Sequence, residues 1–169
     1  MKFPDWGSGG IGQHLIRLKD GDTVPGVFRG EIVRFYQHWS ANGQPSVCAG
    51  RDKCQLCGQG EKGIGRFRIN FLIQENGAWV AKIFEAGRKV FDQLTALNKD
   101  MPLEKLKVRV SRSGSGKQTQ ISVNAFPGEN GLVDTKLEKV IGAIQLHDLT
   151  LEKAEEDPEQ DANEDVPGF

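Results

Sequence analysis

The apolar positions of this chain fall into short alternating runs separated by glycine-containing turns, the pattern of a mainly β protein. Phe67, Ile69, Phe71 and Ile73 alternate with Arg66, Arg68 and Asn70, so residues 64–73 are expected to be a strand with one face in a core. Asn76-Gly77 is a two-residue hairpin signal, and Trp79–Phe84 reads as the returning strand. Leu106, Val108 and Val110 alternate with Lys107, Arg109 and Ser111; after a Ser-Gly-Ser-Gly turn, Thr119, Ile121 and Val123 form the return. Upstream, residues 27–37 read as a long strand through Val27, Phe28, Ile32, Val33, Phe35 and Tyr36, with Gly30 marking a bulge. A shorter apolar stretch, His14–Leu18, lies in the glycine-rich start of the chain.

Two segments change to the helical period. Val90, Phe91, Leu94 and Leu97 fit one face of a short internal helix. Leu137, Val140, Ile141 and Ile144 predict a C-terminal helix, and Thr135-Lys136-Leu137-Glu138 has capping-box spacing. Five or six strands, one helix between strand pairs and a closing helix suit an OB-like Greek-key barrel, small and partly open. Another small β barrel, or a mixed α+β sheet, has the same element count.

Residues 38–63 fit neither pattern. They hold five glycines and all three cysteines, make a poor strand and a poor helix, and need a source of order other than a core. Cys54-Gln55-Leu56-Cys57-Gly58 is a knuckle: two cysteines two residues apart, then a glycine that permits a tight turn. Cys48 lies six positions before Cys54, and His38 ten before that. His38, Cys48, Cys54 and Cys57 are the expected ligands of one structural zinc ion, closed and tetrahedral. His14 and His147 are reserves, and both sit in apolar-patterned segments. An odd, clustered set of cysteines argues against a disulfide framework. Four protein ligands leave no open position for a catalytic water, and no nucleophile triad or phosphate loop is visible. The chain is not read as an enzyme.

Charge divides the chain. Its 169 residues carry a formal net charge of −1. Residues 1–151 hold 21 Lys and Arg against 15 Asp and Glu, whereas residues 152–169 hold one Lys against eight acids. The expected organisation is therefore a basic domain over 1–151, with the zinc insertion at 38–63, and a disordered acidic tail over 152–169. There is no bilayer-length apolar run and no signal-peptide pattern, so the expected location is the cytoplasm, with no membrane partner.

Arg34, Tyr36 and Trp39 lead into the cysteine loop; Arg66, Arg68 and Lys82 lie on the central hairpin; Arg109, Arg112 and Lys117 lie on the last one. Cations that track phosphates and rings that stack on bases are what sequence-tolerant binding of single-stranded nucleic acid needs. Arginines alternating along a strand are equally a solvated face, and Phe67, Ile69, Phe71 and Trp79 read as core. The acidic run ends in an apolar tip. Asp161, Glu164, Asp165, Val166, Pro167 and Phe169 are expected to bind a partner whose small apolar pocket has a basic rim.

The spacing His38, Cys48, Cys54-Gln55-Leu56-Cys57, inserted among the early strands of a basic β domain, resembles the zinc-containing helix-destabilising proteins of T-even phages and their phage relatives. The run Val108–Gly114 through Thr119 and the acidic tail fit the same family. The resemblance covers residues 12–150 in organisation, and the metal motif carries most of its specificity. It implies an OB barrel that binds single-stranded DNA beside a zinc subdomain, in the host-cell cytoplasm. It also implies a tail that recruits replication and recombination enzymes, so that the protein protects DNA during replication, recombination and repair. A zinc-bearing adaptor that binds no nucleic acid is the alternative.

Overall fold

The computed structural model describes residues 11–39, 41 and 43–150. The N-terminal residues 1–10 and the acidic tail, with its expected partner-binding residues Asp161, Glu164, Asp165, Val166, Pro167 and Phe169, lie outside that range. Six antiparallel strands form one sheet: β1 (Thr23–Trp39), β2 (Pro45–Val47), β3 (Ile64–Glu75), β4 (Ala78–Gly87), β5 (Val108–Ser113) and β6 (Gln120–Ala125). Two α-helices lie between strands, α1 (Gln55–Gly58) and α2 (Arg88–Asp100), and a third, α3 (Thr135–Gly142), follows β6.

The main path runs β4-β3-β1-β5-β6, and β2 pairs the far end of β1. With β2 set aside, β5 returns beside β1 after the β1-β3-β4 meander, which is a Greek-key order. The expected barrel is not closed, because the path ends at β4 and β6 without a pairing between them. Each end has its own cap. On β4, Leu15 makes a parallel bridge to Ile83, and Ile16 N donates to Ile83 O at 2.9 Å. On β6, the Gln93 carboxamide of α2 accepts from Val123 N at 2.8 Å and donates to Ile121 O at 3.3 Å. One side chain thereby does what a neighbouring strand would do.

The β3–β4 hairpin follows its sequence signal. Asn76 and Gly77 have φ of 51° and 81°, the left-handed pair of a two-residue turn whose twist matches the flanking strands. Phe67, Ile69, Phe71 and Ile73 enter the main core with Phe28, Phe84, Leu94, Val108, Val110 and Val123. The opposite face holds Leu72, which packs with Val27 and Ile141 in a second core beneath α3. That second core is why apolar residues interrupt the polar side of the β3 alternation.

β1 is longer than the pattern indicated and has the expected bulge. Its register against β3 shifts between Arg29 and Val33, and Gly30 has φ of 76° there. Four steps along β1 match two along β3, so residues keep their faces while the strand bends. α3 starts one residue before the expected box: Asp134 is the N-cap and accepts from Leu137 N at 2.7 Å. Glu138 does not close a box, because Arg29 claims its carboxylate. Beyond α3 the chain is pinned to β3 by buried Asn70, which accepts from His147 N at 2.9 Å and donates to His147 O at 3.0 Å.

Replacing Gln93 with Ala leaves Val123 N–H and Ile121 C=O at the seam without that partner. The expected loss is about 1–3 kcal/mol of unfolding free energy, with faster amide exchange at Val123. Unchanged denaturant midpoint and exchange would show that the carboxamide bond contributes nothing.

Candidate metal centre and the surface around it

The far end of β1 leaves the core and becomes the middle strand of a small ribbon. Gln37, His38 and Trp39 pair with Val47, Ser46 and Pro45 on one side, while Tyr36 and Gln37 pair with Gly65 and Ile64 on the other. This ribbon delivers His38 to the cysteines. Cys48 follows β2, its N–H held by Tyr36 O at 2.8 Å. A turn then brings Cys54 N onto Gly50 O at 2.8 Å, and Cys54 caps the single-turn helix that carries Cys57. Gly63 passes so close over His38 that a Cβ there would stand 3.3 Å from the imidazole Cε1 and 3.1 Å from Tyr36 Cβ.

Four ligand atoms converge as the spacing predicted. One nitrogen of His38 and the sulfurs of Cys48, Cys54 and Cys57 lie within 4.8 Å of one another, a set able to hold a metal ion. His38 Nε2 is 3.3 Å from Cys57 Sγ, and Cys48 Sγ is 3.6 Å from Cys57 Sγ. His38 is only 2% exposed, and its Nδ1 makes no hydrogen bond among the described residues, so Nε2 is the nitrogen turned to the thiols. All three cysteines are free thiols. His14 and His147 stand elsewhere, stacked on each other with centroids 4.1 Å apart.

Three thiols this close resist ionising together. Cys57 is pushed up to about 11, first by its hydrogen bond with Cys48, then by burial and by Cys54. Cys54 is drawn below the usual thiol range, chiefly by the nearby backbone N–H of Cys57. A cation at the centre would favour the thiolate at every position and remove the conflict.

The expected nucleic-acid residues separate into groups. Arg34, Tyr36 and Trp39 cluster along the end of β1, but strand alternation splits them: Arg34 and Tyr36 share a face with His38, and Trp39 lies on the other. Both rings are exposed, Tyr36 by 63% and Trp39 by 54%. Arg34 stands over the Phe91 ring at 5.7 Å. Arg66 and Arg68 lie on the Trp39 face and both engage Glu85, Arg68 Nε at 2.9 Å and Arg66 Nη2 at 3.3 Å. Lys82 pairs with Glu75 at 3.1 Å across the β3–β4 hairpin. Arg109 is exposed beside Phe126, and Lys117 is exposed on the β5–β6 turn. Arg112 is engaged inside the fold, donating to Leu18 O and to Thr119 Oγ1. Thr23 pairs Ser111 while Trp39 pairs Pro45, so the β5–β6 group and the ring group sit at opposite ends of β1.

Two features were not read from the pattern. Ile64 is 53% exposed and extends the apolar side of the ribbon occupied by Trp39 and Pro45. Glu85 stands directly across from Arg68. Its signal was available, since counting outward from the Asn76-Gly77 turn pairs those two residues.

Comparison with protein-family models, curated proteins and solved structures finds no match for this chain. Among the described residues no helix is long and apolar enough to cross a membrane.

The cluster leads to a direct expectation. Protein prepared without added metal should carry about one tightly held ion per chain, and Cys54→Ser or Cys57→Ser should lose it. Stripping the ion should lower the melting temperature and speed amide exchange across residues 38–63. Metal-free protein with an unaltered melting curve would remove the structural role.

Proposed function

We propose that this chain is a zinc-stabilised, non-enzymatic protein that binds single-stranded DNA with little sequence preference, in support of replication or recombination. The observation that carries the reading is a pair of exposed rings on opposite faces of a ribbon tied to a His/Cys3 cluster, Tyr36 sharing its face with Arg34 and Trp39 sharing its face with Arg66 and Arg68 of the adjoining sheet. Stacking platforms beside cations are the chemistry of single-strand binding. The strand order and the helix between β4 and β5 agree with a partly open OB barrel.

Zinc is the ion the donors suit. Soft thiolates with one imidazole favour a tetrahedral, closed site. Zinc–sulfur bonds of ~2.3 Å set tetrahedral edges of roughly 3.8 Å, close to the 3.6 Å sulfur separation of Cys48 and Cys57. The ion would brace a ribbon that has no apolar core of its own, and all four positions around it would be filled by protein. Elemental analysis should return zinc rather than iron or copper.

Binding is tested by titrating a fluorescent oligonucleotide at several salt concentrations. Affinity should fall steeply with salt and vary little among sequences. Tyr36→Ala or Trp39→Ala should cost ~1–3 kcal/mol where the ring stacks on a base. Because the rings stand on opposite faces, unequal losses would identify the face that holds the strand. Absence of binding at low salt would favour the adaptor reading instead.

The acidic tail is proposed to recruit a replication or recombination enzyme through its apolar tip. Deleting residues 152–169 should modestly tighten DNA binding at low salt. Deleting Phe169 alone keeps all eight acids, so DNA affinity should hold while partner recovery from a cell extract falls. Recovery of the same partners with both truncations would leave the tail as a solubility device.

A further inference from the structure

The Trp39 side of the sheet contains a carboxylate that the surface reading does not use. Glu85 projects from β4 between two guanidiniums, with Arg68 Nε at 2.9 Å and Arg66 Nη2 at 3.3 Å. Its side chain is 14% exposed and that of Arg68 is 13% exposed, so the pair is largely withdrawn from solvent. Arg68 also lies over the Phe35 ring at 4.6 Å. Arg66 Nε is buried without a hydrogen-bond partner among the described residues. One carboxylate therefore serves two cations, and one donor beside it remains unanswered.

We propose that Glu85 holds the place of a backbone phosphate, keeping Arg66 and Arg68 aligned in the free protein and yielding them to an incoming single strand. The proposal rests on the single-stranded-DNA reading above and adds a regulator to that surface. Carboxylate and phosphodiester both offer two oxygens to a guanidinium, so one can replace the other with little change in arginine geometry. Without any anion the two guanidiniums repel and swing toward water. Glu85 is fixed across from Arg68 by the hairpin register, so it competes at a constant local concentration. A lone phosphate competes poorly against such a neighbour. A polymer that brings many phosphates displaces it. The device thus favours polynucleotide over mononucleotide, and it lowers affinity as the cost of that selection.

The test compares wild type, Glu85→Gln and Glu85→Asp, binding a labelled oligo-thymidine and, separately, a labelled thymidine monophosphate across a salt series. Glu85→Gln keeps the shape and removes the charge. Its oligonucleotide affinity should rise on the order of fivefold per freed guanidinium at about 0.1 M salt, with the salt slope steeper by about 0.7 for each. Its affinity for the monophosphate should rise as well, narrowing the preference for polymer. Glu85→Asp keeps the charge but is too short to reach both arginines, and should fall between the two. Thermal melting establishes that each variant is folded; if Glu85→Gln does not fold, Glu85→Asp decides. Folded variants that bind as wild type does, or more weakly, overturn the gating role while leaving the DNA reading in place. A wild type that binds no oligonucleotide at low salt overturns both.

Discussion

β1 has to satisfy three partners with one backbone. Its first residues pair β5 on one edge, Gly26 to Gln37 pair β3 on the other around the bulge, and its last residues pair β2. A straight strand of 17 residues would run out of core long before its end. The bulge around Gly30 bends it so that Phe28 and Ile32 still face the main core, while Val27 serves the second core beneath α3. Past Phe35 the strand continues beyond the core, toward the His38, Cys48, Cys54 and Cys57 cluster that could hold a metal ion. His38 is where the core strand meets that cluster: a strand residue by backbone, with an imidazole nitrogen among the donors able to hold an ion. Any change that slipped the bulge by one residue would turn His38 away from the cysteines and bring Gln37 or Trp39 in.

How much of this was legible depended on how local the signal was. The β3–β4 hairpin could be read because its alternation and its Asn-Gly turn lie within one short stretch. The metal set could be read because ligand chemistry is restrictive, although His38 and Cys48 are brought together only through the β1–β2 pairing. A partly open barrel was expected, but where the opening would fall could not be read, since strand count does not say which edges meet. The C-terminal helix was found but its cap was displaced: Asp134 outcompetes Thr135, and Glu138 goes to Arg29, a partner 109 residues away in sequence. The aromatic pair was grouped by proximity in sequence, whereas the period of two sends Tyr36 and Trp39 to opposite faces. That parity was itself in the sequence, waiting on the register of one strand.

The charged residues follow a similar division. Arg112 is a fastener between Leu18 and Thr119, and Arg29 ties β1 to α3 through Glu138. These guanidiniums serve folding first, and a count of basic residues overstates what the surface offers a polyanion. Arg34 differs, exposed, with its guanidinium over the Phe91 ring. The electrostatic character of the sheet is thus set by which arginines have already found an acceptor, a property of pairing more than of composition.

Gln93 and Asn70 share an unusual duty: each side-chain amide answers a main-chain N–H and C=O in the way a strand would. An unpaired sheet edge is a template on which a second molecule can add its own strand. With Gln93 across β6 and Leu15-Ile16 against β4, both ends of this sheet are partly answered from within the chain. Copies packed side by side at high local density would meet edges that offer little purchase for strand exchange, so crowding could proceed without the protein knitting itself into fibres.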